Sequence, residues 1–374
     1  MNTIQPAKNP FYFKLAMVLV SLISLGYLSI MGKEILAPLM FSLLIAILLL
    51  PVSVFLETRL NLPRSAAAGL SVLLLLLAIS IIVYLVGSQV SGLARDWPMF
   101  EVQVRSSLTN LQNWISTTFH IDLKKQTDYI ESSASKLLNA GTTVLGTTVI
   151  TVSSLMLFLV FTLIDTFFLL LYRRLILKFL VGVFKEENAR TLYEVIAEIQ
   201  FIIRKYILGL LLEMLIVAGA CCIAFWLLDI KYAVLLGLIT GLFNIIPYIG
   251  IFSALLLSTL ITFAAGATTG KILLVVITVV VMHLVDSNVL LPLVVGSKVR
   301  INALITLLAV IIGEMMWGIT GMFLAIPVIA MAKIIFDRIE GLQPWGVLLG
   351  AEKEDKKPLS RKYSVKKVIK TAPD

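Results

Sequence analysis

Five ionisable side chains stand well inside long apolar runs: Asp165, Glu213, His283, Asp286 and Glu314. Each would cost about 2.5 to 3.5 kcal/mol at the centre of a lipid bilayer, so each is a candidate for function before packing. His283 and Asp286 are three residues apart and share one helical face, where the imidazole can relay a proton or, if neutral, bond a neighbouring helix. Asp165 and Glu213 are secondary candidates, since each could instead reach the cytoplasmic interface or pair with Arg173 or Arg204. Two tight sequences, GLFNIIPYIG at 241–250 and GEMMWGITG at 313–321, interrupt apolar stretches. A break at membrane depth frees N–H and C=O groups that lipid cannot satisfy, and those groups can hold a polar solute. The expected solute or ion site therefore takes Asn244, Pro247, Tyr248 and Gly250 from one break, Glu314, Trp317 and Gly318 from the other, and His283 and Asp286 between them. Metal-ligand spacing, nucleophile motifs and phosphate-cradling glycine loops are absent, so no catalytic residue, metal or cofactor is expected.

The elements that position these residues must be membrane helices. Of 374 residues, 59% are apolar and only 14% charged, with a mean hydropathy of +1.00, which excludes an ordinary water-soluble domain. Apolar blocks predict spans at 11–31, 35–56, 66–87, 149–172, 206–228 and 272–295, each about the twenty residues one crossing needs. The first is too long for a signal peptide and lacks a small-residue cleavage site. Residues 88–146 carry five basic and five acidic residues, with Trp97, Phe100, Val104, Leu108, Leu111 and Ile115 at three- and four-residue steps. That pattern predicts an amphipathic helix outside the bilayer, followed by a second polar helix near 124–140. A basic linker at 173–205 contains ARTLYEVIAEIQFIIRKY, expected at the headgroup boundary. Cys221 and Cys222 are adjacent in an apolar helix and read as packing residues. The net charge of +9 lies beside the spans, so lipid headgroups explain it and nucleic acid is not an expected partner.

Placing both termini inside assigns 23 of the 31 Lys and Arg to the cytoplasm. The apolar stretches 232–266 and 302–334 must then each return to the side they left. They are expected to be re-entrant hairpins from opposite faces, in two units of inverted orientation. The expected fold is all-α and polytopic, with about eight hydrophobic segments and a helical extracytoplasmic insert. Its parts are three helices in 1–87, the insert at 88–146, a helix and amphipathic linker at 147–205, a two-hairpin core at 206–340, and a basic tail at 341–374.

The order and spacing of GLFNIIPYIG, HLVDSNVLLPLVVGSKV at 283–299 and GEMMWGITGMFLAIPVIA at 313–330 resemble the autoinducer-2 exporter family of bacterial inner-membrane proteins. The likeness is strongest over about 190–335. It implies a permease-like protein of the inner membrane, with some members assigned to export of the furanone signal autoinducer-2 in quorum sensing and others to exchange of sodium or lithium for protons. Asn244, Pro247 and Gly250 fit the family's Asn-x-x-Pro-Tyr-x-Gly turn, Pro292 matches its proline, and Gly313, Gly318 and Gly321 fit its glycine-rich break with Pro327 after it. Asp286 stands where the family usually has Glu, His283 where Gln is more usual, and Glu314 where the residue is often small. The expected function is a secondary transporter or facilitator that moves a small polar solute outward, with H+ or Na+ as possible coupling ions. A sodium or lithium/proton antiporter and a non-transporting membrane scaffold are the alternatives. A homo-oligomer is compatible with the small-residue runs.

Overall fold

The computed structural model describes residues 10–119, 155–183, 189–246, 249–294 and 301–351. Among the described residues the regular elements are all helices, joined by short turns, with one isolated antiparallel bridge between Ile301 and Gly350. Helices α1 (Phe11–Met31), α2 (Lys33–Arg59), α3 (Arg64–Arg95) and α4 (Trp97–Phe119) precede α5 (Leu155–Leu171), α6 (Arg173–Val183) and α7 (Ala189–Leu227). Then come α8 (Ala233–Asn244), α9 (Ile249–Ala264), α10 (Thr269–Val285) and, after a π turn at Asp286–Leu290, α11 (Leu291–Val294). The order closes with α12 (Ala303–Trp317), α13 (Ile319–Arg338) and α14 (Gln343–Leu349).

Five of these segments are long and apolar enough to cross a membrane: α2, α3, α7, the run from α10 to α11, and α13. The pair α5 and α6 makes a sixth if counted as one, although it bends by 69°. The chain is a multi-pass membrane protein. Helices α8, α9 and α12 have 12, 16 and 15 residues, short for a 30 Å hydrocarbon layer at about 1.5 Å per residue. Breaks between α8 and α9, and at Gly318 between α12 and α13, fall where the glycine and proline signals stand. The second stretch is unequal, because α13 with its 20 residues can cross alone.

Helix α7 is the axis. Its 39 residues extend roughly 58 Å, nearly twice the hydrocarbon thickness. The segment expected at the headgroups, from 189 to 205, is therefore one continuous helix with the span that follows. From Ile203 to Phe225, residues at three- and four-residue steps keep a single face buried. Its first half packs Ile203, Tyr206, Ile207 and Leu210 against Leu44 and Ile47 of α2 and Leu324 of α13. Its second half packs Val217, Cys221 and Phe225 against α8 and against Val275 and Val279 of α10. Gly241 lets α8 lie directly on α7, since a Cβ there would come within 2.6 Å of Ala218 Cβ. Helix α3 also runs further than its span required, to Arg95, and takes the first residues of the predicted insert. The predicted polar helix near 124–140 lies outside the described residues.

Candidate functional site

Where α8 ends, its last residue faces two acids. Asn244 Nδ2 donates to Glu213 Oε1 at 3.2 Å and to Asp286 Oδ2 at 3.1 Å. Glu213 comes from the buried face of α7, one turn after Leu210 and one before Val217, and is 3% exposed. Asp286 opens the π turn and is 5% exposed. Pro292 cannot donate a backbone bond to Asn288, while Leu291 N–H reaches back five residues to Asp286 C=O. The extra residue in that turn shifts side-chain register, a device that recurs at functional sites.

The cluster is not self-sufficient. Glu213 Oε2, Asp286 Oδ1 and His283 Nδ1 are buried without a hydrogen-bond partner. Buried polar atoms are normally paired, at a cost of about 1 to 3 kcal/mol when they are not, so three such atoms in one region can take up a proton or a donor group. Asn244, Asp286 and His283 also line a cavity of about 10 Å³, with Thr240 of α8, Ile251 and Ala254 of α9, Val217 of α7, and Val279 and Met282 of α10. That volume admits one particle about the size of water. Among the described residues no group of three His, Cys, Asp or Glu side chains could hold a metal ion.

Asn244, His283 and Asp286, all expected at the site, lie together in the fold. Glu213, a secondary candidate, is joined by no bond to Arg204 and accepts from Asn244 instead. Gly250 starts α9 against the end of α8, where a Cβ would lie 2.7 Å from the Phe243 carbonyl carbon. Pro247 and Tyr248 lie outside the described residues. Glu314 is exposed on α12 and does not line the cavity, and Gly318 forms the turn after it with φ +64°. Asp165 is half-buried on α5, while Arg173 pairs with Glu57. Ile246, at the first break, packs on Val310 of α12 and on Met322 and Ala325 of α13. Trp317 donates its indole N–H to Ser29 C=O of α1 at 2.9 Å.

A second polar group sits beyond the spans, at the other end of α8. Lys231 Nζ lies 2.8 Å from Asp96 Oδ2, and Tyr232 donates its hydroxyl to the same carboxylate. Those hydrogen bonds, Lys231 first, hold the Asp96 carboxyl below the usual carboxylate range, and the same contact raises Lys231. Phe100 of α4 packs edge-on against Tyr232, at 6.1 Å between ring centroids. Helix α4 is thereby fastened to the start of the helix that carries Asn244.

Residues 15–341 match the AI-2E family transporter profile. The chain is 25% identical to the AI-2 transport protein TqsA of Escherichia coli, over 85% of this chain and 90% of that protein. It is 27% identical to YueF of Bacillus subtilis over 67% of this chain and 69% of the relative. A shorter match, 37% identical, joins it to YrrI of the same organism and spans 36% of that protein's length.

Proposed function

The chain belongs to the AI-2E family of transporters, and on that premise we propose that Glu213, Asn244 and Asp286 form the transport site of a secondary transporter. One observation carries the reading: a single amide bridges two buried carboxyl groups, each of which keeps an oxygen without a partner. Such a site presents free carboxylate oxygens and, among the described residues, no lysine or arginine, so it favours solutes rich in N–H or O–H donors, or cations, over anions. The site joins α7 and the π turn to the end of a short hairpin leg, whose movement would break and remake the bridge. The solute is a small polar molecule of the autoinducer-2 kind, exported across the bacterial inner membrane. Both termini are cytoplasmic, the two broken stretches are related as an inverted repeat, and the insert that begins with α4 forms an extracytoplasmic cap. The working unit is a homo-oligomer.

The antiport of sodium or lithium for protons is the second reading, favoured by a cavity of about 10 Å³ that suits an ion better than a furanone. The test is flux from liposomes containing the full chain, with and without a proton or sodium gradient. Asn244→Ala and Asp286→Asn are expected to lower flux about tenfold or more, the scale of one lost charge-assisted hydrogen bond. Solute flux that ignores both substitutions overturns the site. Solute flux without gradient dependence supports a facilitator, whereas cation-dependent proton movement alone, lost in Asp286→Asn, supports the antiporter.

A further inference from the structure

Helix α6 turns away from α5 by 69° and none of its residues is buried. Its first residue is already engaged: Arg173 bonds Glu57 Oε2 at 2.6 Å and Ser53 Oγ at 3.4 Å, which anchors α6 to the end of α2. Arg174 and Lys178, four residues apart on one face, have no acidic partner among the described residues. Beside them lies an exposed apolar strip, with Leu175 63%, Phe179 65% and Val183 63% accessible. The exposed residues of the spans face lipid tails along the bundle. A helix bent this far from its span cannot present the same face to the same layer. Its pairing of a free basic edge with an apolar strip matches a helix lying in the membrane plane, apolar side sunk about 5 to 10 Å and cations at the phosphates.

We propose that α6 is a docking surface for the anionic phospholipid headgroup layer, with Arg174 and Lys178 holding lipid phosphates while Leu175, Phe179 and Val183 enter the acyl boundary. The inference goes beyond the transport reading and does not depend on which solute moves. Charge complementarity selects the occupant, because two unpaired cations beside an apolar strip suit a negatively charged bilayer surface better than a zwitterionic one.

The experiment uses the full chain reconstituted in phosphatidylcholine vesicles with or without phosphatidylglycerol. It reads the enrichment of phosphatidylglycerol in the lipid that stays with the protein on mild extraction, and the depth of a nitroxide placed at Phe179. The double variant R174Q/K178Q should lose enrichment by about fivefold per charge removed, while keeping the parent's thermal transition. The control R190Q/R338Q removes the same charge from residues already paired with Glu194 and Glu198, and should leave enrichment unchanged. The label at Phe179 should sit below the headgroups. Unchanged enrichment in R174Q/K178Q, an equal loss in the control, or a water-exposed label at Phe179 would each overturn the proposal.

Discussion

At the residue scale, two glycines at the two breaks separate packing from backbone freedom. Gly250 has no unusual φ, but a Cβ there would sit 2.7 Å from the Phe243 carbonyl carbon, so Ala must push the legs of the first hairpin apart. The displaced group is the Phe243 carbonyl, whose peptide leads into Asn244, the donor of the bridge. Gly250→Ala should cost about 1 to 3 kcal/mol from overpacking and also lower flux, because the amide loses its position between Glu213 and Asp286. Gly318 is the opposite case: a Cβ would meet open space, but φ +64° with ψ −142° is glycine territory. Gly318→Ala should cost a similar 1 to 3 kcal/mol through backbone strain while leaving the distant bridge intact. Thermal unfolding in detergent beside liposome flux checks both. Equal loss of flux in the two variants, after correction for folded fraction, would mean that the first hairpin tip has no special tie to the site.

At the element scale, α4 and the hairpin start are joined by Asp96, Lys231 and Tyr232, with Gln103 of α4 lying near Gly266 at the far end of α9. Asp96 is depressed, so its contribution is complete above the ordinary carboxylate value near 4 and fades as pH falls through the lower folded value. Lys231 is raised, so its contribution is complete below the ordinary lysine value near 10.4 and fades only above it. The fastening should thus hold across the neutral range and loosen in strong acid. Spin labels at Gln103→Cys and Ala265→Cys, in a protein lacking Cys221 and Cys222, should give a narrow distance at pH 7. The distance should broaden only in acid well below pH 4, where the depressed Asp96 carboxylate takes up its proton, or at pH 7 in Asp96→Asn. A distance that stays narrow in Asp96→Asn would assign the contact between α4 and α9 to apolar packing around Phe100.

At the scale of the whole molecule, apolar block length made most of the spans legible, although the block at 11–31 forms α1, which is not among the helices long and apolar enough to cross, and glycine and proline made the breaks legible. That Asn244 and Asp286 would find each other was legible, because a polar residue at a break, or an acid within a span, has few structural uses unless it is paired. Glu213 was less so, because its partner arrives from the end of another helix and only its place on the buried 210–213–217 face hinted at its role. Glu314 misled for the converse reason: its neighbours are apolar on every side, so no periodic stripe revealed that it faces outward. Long-range ion pairs were the least legible, and here exposure decides which matter. Arg338 reaches Glu194 and Glu198 across α13 and α7, but these side chains are 39% to 46% exposed, so Arg338→Gln should change stability by less than about 1 kcal/mol. Arg173 and Glu57 are 20% and 13% exposed and join α6 to α2, so Arg173→Gln strands a largely desolvated carboxylate and should cost about 1 to 3 kcal/mol. The reversed pair Arg173→Glu with Glu57→Arg should recover part of that loss in thermal unfolding. Equal small losses for Arg338→Gln and Arg173→Gln, with no recovery on reversal, would show that apolar packing alone sets the bend between α5 and α6.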